Sequence, residues 1–177
     1  MKNKTDVAII VGSKSDLVLI RETIRILNEF ELAYNLNIAS AHRTVDYLRQ
    51  CIKSVEATGV KVFIAAAGMS AALPGIIAAE TIFPVIGIPV ASDNLSNLDS
   101  LFSIVQMPKG VPVATVAVGK SGAVNAALLA IKIMAVGNDD LKNKLKAYKT
   151  KMMRTVMKED LKLQKIGIEK YIKEIDK

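Results

Sequence analysis

The 177-residue chain contains a single histidine. It stands beside an arginine in Ser40-Ala41-His42-Arg43-Thr44. Histidine is the side chain that titrates around neutrality, so His42 is the natural candidate to give and take a proton. Arg43 presents a planar fork of donors suited to phosphate. Cationic groups at the start of a predicted helix are unfavourable without an anion, which favours a ligand-binding reading over a surface ion pair. A second cluster, Gly12-Ser13-Lys14-Ser15-Asp16, also precedes a predicted helix. Its hydroxyls and N–H groups suit one phosphate. Asp16 would repel phosphate and better fits neutral groups such as ribose hydroxyls. Simple N-capping by Ser and Asp is the competing role. A third stretch, Ala66-Ala67-Gly68-Met69-Ser70-Ala71-Ala72-Leu73-Pro74-Gly75, is almost free of bulk. Small residues let a ligand approach the backbone and leave room for a small apolar pocket. Close helix–strand packing would use the same residues.

Other chemistries lack their residues. The Gly-x-x-x-x-Gly-Lys-Ser/Thr spacing of a phosphate loop, the Gly-x-Gly-x-x-Gly dinucleotide turn and the Gly-x-Ser-x-Gly elbow are all missing. Cys51 falls inside a predicted helix and reads as a packing residue. One Cys and one His cannot build a zinc site. Metal-free chemistry is therefore expected. A phosphoacceptor domain would need an acid at the end of the third strand, where Gly68 stands.

The net charge is +7, but 12 of the 24 Lys and Arg, and only 6 of the 17 Asp and Glu, lie in residues 140–177. The basic excess belongs to the tail. The few aromatic residues do not interleave with basic ones as base-stacking platforms do, so no nucleic-acid partner is expected. The N-terminal run Val7–Val11 is too short for a secretory h-region. The uncharged stretch Val62–Ala79 is long enough for a membrane span, but Gly68, Ser70, Pro74 and Gly75 divide it into strand, turn and helix. No membrane partner and a cytoplasmic location follow as expectations. With 51% hydrophobic residues, subunit interfaces are expected, hence a homo-oligomer.

The elements that must position the three clusters alternate. Strands are predicted over Asp6–Val11, Tyr34–Ala39, Lys61–Ala67, Pro84–Val90 and Pro112–Val118. Helices are predicted over 16–30, 44–58, 70–80, 99–106 and 121–136, the last alanine-rich and buried on most sides. Five strand–helix repeats specify an α/β three-layer sandwich with a parallel, flavodoxin-like sheet of order 2-1-3-4-5. The three clusters then end strands 1, 2 and 3 at one edge, where ligands bind in such sheets. Residues 1–138 form this catalytic domain. Residues 139–177 carry apolar residues at Leu141, Leu145, Tyr148, Met152 and Val156, a C-terminal amphipathic helix expected to pack on the domain or on a neighbouring subunit.

In order and spacing, Gly12–Asp16, Ser40–Thr44, Ala67-Gly68, Leu73-Pro74-Gly75, Asp99-Ser-Leu, Ser103–Pro108, Gly110–Ala114 and Asn125–Ala130 resemble the N5-carboxyaminoimidazole ribonucleotide mutase family of purine biosynthesis. The resemblance runs from about Val7 to Ala135. It implies an enzyme that moves a carboxylate from N5 to C4 of aminoimidazole ribonucleotide through bound CO₂. It implies that Ser13, Asp16 and Arg43 bind ribose-phosphate, that Ser15 and Ser40 assist, and that His42 is the general acid/base. It also implies that Gly68, Met69 and Ser70 enclose CO₂, that no metal or cofactor is needed, and that the assembly is an octamer. Three departures stand out. Ala72 replaces a second histidine, Leu17 a tryptophan, and Asn97-Leu98 the usual glycine before Asp99. Arg43 favours the mutase. The Met69-Ser70 pair leans towards the branch that carboxylates aminoimidazole ribonucleotide directly with CO₂, the alternative reading. A non-catalytic nucleotide- or flavin-binding module of the same fold and a basic-tailed nucleic-acid binder are the remaining alternatives.

Overall fold

The computed structural model describes residues 4–91 and 98–176, divided into two compact units, residues 1–134 and 135–177. Asn97, one of the departures above, lies outside the described residues.

The first unit is built on five parallel strands, β1 (Val7–Val11), β2 (Tyr34–Ile38), β3 (Val62–Ala67), β4 (Val85–Pro89) and β5 (Ala114–Thr115). Their order is β2-β1-β3-β4-β5, the predicted flavodoxin-like arrangement. The continuous apolar runs became the buried strands: every residue of β1, β3 and β4 is buried. This is what helices on both faces of a parallel sheet require. β2 reads Tyr-Asn-Leu-Asn-Ile and is only partly covered, as an edge strand should be.

β5 is the main correction. Its predicted seven residues shrink to two. Val90 N–H donates to Ala67 O of β3, and successive N–H groups alternate sides along a strand. The N–H of residue 89 would therefore face β5, but residue 89 is proline and has none. Pro112 likewise cannot donate at the other end. The ladder is confined to Ile86 opposite Ala114 and Gly87 opposite Thr115, with Val116 N–H donating to Gly87 O.

The helices are α1 (Leu17–Glu29), α2 (Val45–Glu56), α3 (Leu73–Glu80), α4 (Leu98–Val105) and α5 (Gly119–Ala135). α1 buries Ile20, Ile26 and Leu27, while Ile24 is half-buried. Buried Thr23 donates to Ala123 O at 2.9 Å, tying α1 to α5. α2 buries Leu48, Cys51, Ile52 and Val55 at helical spacing. α3 starts three residues later than predicted. Met69 adopts a left-handed φ of 57° that breaks the run, and Pro74 is tolerated only in the first turn of a helix. α5 buries Ala123, Ala126, Ala127, Ala130 and Ile131, but Ser121, Asn125 and Lys132 form an exposed stripe. Large side chains such as Phe63, Leu48, Ile52 and Ile77 fill one face of the sheet. Each stabilises the fold by about 1.5–3 kcal/mol relative to exposure.

In the second unit the amphipathic pattern becomes two helices, α6 (Asp139–Ile166) and α7 (Ile168–Ile175). Asn138 caps α6, its side chain accepting from Leu141 N–H at 3.1 Å. Gly167, at φ 77°, divides the two. α7 is joined to α6 by Tyr171 Oη donating to Glu159 at 2.8 Å and by the Lys162–Glu174 ion pair. Met152, Val156, Leu161, Ile168 and Ile172 are exposed in the single chain. No helix among the described residues is long and apolar enough to cross a membrane.

Candidate functional site

Because the strands are parallel, the turns after β1, β2, β3 and β4 open on one edge of the sheet. β1 lies between β2 and β3, where the chain reverses its winding, and the crevice there is the expected ligand position. A cavity of about 690 Å³ occupies it. Gly12, Ser13, Ser15 and Asp16 line it from the first turn and Ser40, Ala41, His42 and Arg43 from the second. The third turn contributes Ala67 to Leu73, and Val90 and Ala91 close it after β4. All nine residues singled out from the sequence face this one space.

The first turn is held by its own side chains. Ser13 caps the 3₁₀ turn Lys14–Asp16, its Oγ accepting from Ser15 N–H at 3.4 Å. Asp16 completes a capping box by accepting from Ser13 N–H at 3.0 Å. Capping and lining the cavity are thus roles of the same residues, not alternatives. Asp16 is buried, 8% exposed. Burial pushes its carboxyl above the usual carboxylate range, opposed by the hydrogen bonds from Ser13 N–H and the Ser15 hydroxyl.

The second turn is closed differently. Ser40 Oγ accepts from His42 N–H at 3.4 Å and from Arg43 N–H at 3.2 Å. It also accepts from Arg43 Nε at 3.4 Å. With its acceptor side occupied, the Ser40 hydroxyl keeps one proton to donate. Thr44 Oγ1 accepts from Ser40 N–H at 2.8 Å. No side chain caps the N-terminus of α2, so its first N–H groups add positive potential beside His42 and Arg43, which are both exposed.

The third turn is made by Met69, a non-glycine residue at φ 57°. That conformation costs about 1–2 kcal/mol. Met69 is 63% exposed. Ala72 lines the cavity without a titratable group. Among the described lining residues, Asp16, His42 and Arg43 are the only ionisable ones. No three His, Cys, Asp or Glu side chains among the described residues are placed to hold a metal ion. Sequence reasoning missed Val90 and Ala91. They are apolar and carry no chemical signal, and only their place at the end of β4 points to them.

Fold and site together define a flavodoxin-like α/β protein with a small polar-and-apolar cavity at the carboxyl ends of its strands, served by one histidine, one arginine and one buried aspartate. Residues 6–155 match the AIR carboxylase family, and the chain belongs to that family. It is similar to the N5-carboxyaminoimidazole ribonucleotide mutase of Pyrococcus horikoshii, with 48% identity over 168 residues, 95% of this chain and 94% of that protein. It is 50% identical over 151 residues to the mutase of Saccharolobus solfataricus, covering 85% of this chain and 94% of that one. Among solved structures it is similar to PurE of Treponema denticola, with a TM-score of 0.83 and 29% identity over 90% of this chain and 99% of that one.

Proposed function

We propose that this chain is an N5-carboxyaminoimidazole ribonucleotide mutase acting in purine biosynthesis. The observation that carries the reading is the convergence of His42, Arg43, Ser13 and Asp16 on one cavity of nucleotide-fragment size, in a chain about half identical to proteins bearing that name. Arg43, the Ser13, Ser15 and Ser40 hydroxyls and the free N–H groups of α2 hold the phosphate. Asp16 accepts from ribose hydroxyls. His42 donates a proton to N5 of the carbamate. The N5–carboxyl bond breaks, its electrons remain on nitrogen, and CO₂ is released beside a nucleophilic aminoimidazole. C4 attacks the trapped CO₂, and His42 takes the C4 proton, which returns it to its starting state. One group can serve both steps because it recovers what it gave. The small residues Gly68 and Ser70, with the Met69 side chain at the mouth, keep CO₂ close and water out. The reaction uses no metal and no cofactor. The working location is the cytoplasm, and the partner is the small ribonucleotide alone, without nucleic acid or membrane.

The test is ¹³C-NMR of substrate labelled in its N5 carboxylate, with the pure chain and no ATP or bicarbonate. Appearance of the label on C4 is the expected result. Conversion only of aminoimidazole ribonucleotide plus bicarbonate points to the direct carboxylase instead. A yellow, flavin-loaded preparation without either activity points to a binding module.

The assembly is a homo-oligomer, an octamer, in which the exposed apolar stripe of α6 and α7 is covered by a neighbouring subunit. Light scattering on a chain ending at Gly137 is expected to show smaller assemblies or aggregates. An unchanged assembly and melting temperature would remove the tail from the interface.

A further inference from the structure

The turn that carries His42 and Arg43 has a lock outside the cavity. Thr44 is not among the residues that line the cavity. Its hydroxyl oxygen accepts from Ser40 N–H at 2.8 Å and donates to Ser40 O at 3.2 Å. Its own N–H also donates to Ser40 O, at 3.1 Å. One side chain thus clasps both backbone polar groups of the residue four positions earlier and closes a ring around Ala41, His42 and Arg43. A threonine at the N-cap position normally turns its oxygen onto the helix N–H groups, which is worth roughly 1 kcal/mol to helix stability. Thr44 occupies that position before α2 and makes no such bond. The hydroxyl has been turned away from the helix and onto the loop. This leaves the α2 N–H groups open towards an anion, and it fixes the residues between. His42 and Arg43 are themselves exposed, and Arg43 has no ion-pair partner among the described residues. Core packing therefore does little to orient them. What fixes their backbone is this clasp together with the two N–H contacts to Ser40 Oγ, while Arg43 Nε adds one side-chain contact to the same oxygen.

We infer that Thr44 is a positioning residue, setting the 40–44 turn so that the His42 imidazole and the Arg43 guanidinium address one ligand at the same time. The inference rests on the mutase reading only for the reaction that reports it; the geometry itself calls for no more than an anionic ligand beside Arg43 and the α2 N–H groups. Loss of an ångström of alignment at a reacting group can cost on the order of 100-fold in rate, so the effect of unlocking the turn should be large for a residue that touches no substrate.

The test compares Thr44→Val, which keeps the shape and removes the hydroxyl, with Thr44→Ser, which keeps the hydroxyl. Three readouts are taken: melting temperature, kcat and KM for carboxylate transfer, and the imidazole proton signal of His42. With one histidine in the chain, that signal is unambiguous, and ribose 5-phosphate is added as the probe. In Thr44→Val, kcat/KM is expected to fall roughly 10- to 100-fold, with kcat lowered and KM raised together. The melting temperature stays close to that of the parent, and ribose 5-phosphate shifts the His42 signal only at much higher concentration. Thr44→Ser restores all three. If the parent transfers no carboxylate, yet ribose 5-phosphate shifts its His42 signal and Thr44→Val weakens that response, the mutase reading falls and the positioning role stands. A Thr44→Val protein with parental kinetics and a parental ribose 5-phosphate response overturns the positioning role. So does a Thr44→Ser protein as impaired as Thr44→Val, and so does a loss of activity that merely follows a lowered melting temperature.

Discussion

The two turns that face each other across the cavity solve opposite electrostatic problems with the same kind of side chain. After β1, Ser13 and Asp16 form a reciprocal box, and the acid is buried. After β2, Ser40 and Thr44 clasp each other, and the two groups that bear positive charge when protonated stay exposed. A buried carboxylate is costly unless several donors reach it, and Asp16 has Ser13 N–H and the Ser15 hydroxyl. Exposed cations cost little until they must be desolvated by a ligand. The difference lies in what each turn leaves at the surface: the first buries its acid, and the second, held by its own clasp, leaves an imidazole and a guanidinium exposed.

His42→Asn should break this comparison most severely. Asparagine keeps size and some hydrogen bonding but cannot cycle a proton. Turnover is expected to fall by about 10²- to 10⁴-fold. Binding of the product nucleotide, measured by calorimetry, is expected to stay within about tenfold of the parent, a ~1.4 kcal/mol allowance. Retained turnover at saturating substrate would show that His42 only positions the ligand.

Arg43→Ala removes the arm's fixed charge. A charge-assisted contact is worth roughly 1.5–3 kcal/mol, so KM should rise by about 10- to 100-fold while kcat changes little. A normal KM with a collapsed kcat would contradict a uniform grip on phosphate.

Asp16→Asn sharpens the contrast through pH. The folded-state pKa of Asp16 is raised by burial, so the folded chain holds that proton more tightly than the unfolded chain does. The stability this contributes is fully present below the unfolded value of 3.8 and is lost as pH rises through the folded value. At neutral pH the ionised group therefore works against folding. Asparagine, which retains an acceptor for Ser13 N–H, is expected to melt at or above the parent temperature at pH 7, by a few degrees at most. The gap should close in acid. Nucleotide affinity should nevertheless drop, because the ionised acceptor for hydroxyls is gone. A variant that melts lower at pH 7 would mean that the hydrogen bonds outweigh the burial.

The smallest expected effect is that of chelation. Treatment with EDTA should leave transfer unchanged, since the ionisable groups lining the cavity among the described residues are one acid, one histidine and one arginine, too few for a catalytic zinc site. Activity that vanishes and returns only with a divalent ion would overturn that expectation.

Much of this was legible in the chain itself. The runs Val7–Val11 and Val62–Ala67 could only be buried strands, and alternation with helices left few sheet orders. The three clusters were legible because hydroxyls, charges and small residues gather at the ends of three strands that must share one edge of the sheet. What escaped had physical reasons. β5 ended early because Pro89, beyond the last residue of β4 that pairs with β5, has no N–H to extend the ladder, and which residue will face a neighbouring strand is not visible in a one-dimensional pattern. The start of α3 depended on the left-handed turn at Met69, a conformation that the identity of a methionine does not announce. Threonine is a common helix cap, and only the three-dimensional turn reveals that the Thr44 hydroxyl serves Ser40 instead. The burial of Asp16 is a tertiary property, unlike its capping role, which the Ser-x-x-Asp spacing foretells.

The central claim is that the carboxylate leaving N5 and the one arriving at C4 are the same, held in the cavity between the two turns. The most direct measurement is ¹³C-NMR of substrate labelled in the N5 carboxylate, turned over by the intact chain in an excess of unlabelled bicarbonate. The account predicts that the label reaches C4 undiluted. Label lost to the bicarbonate pool, with unlabelled carboxylate at C4, would contradict it.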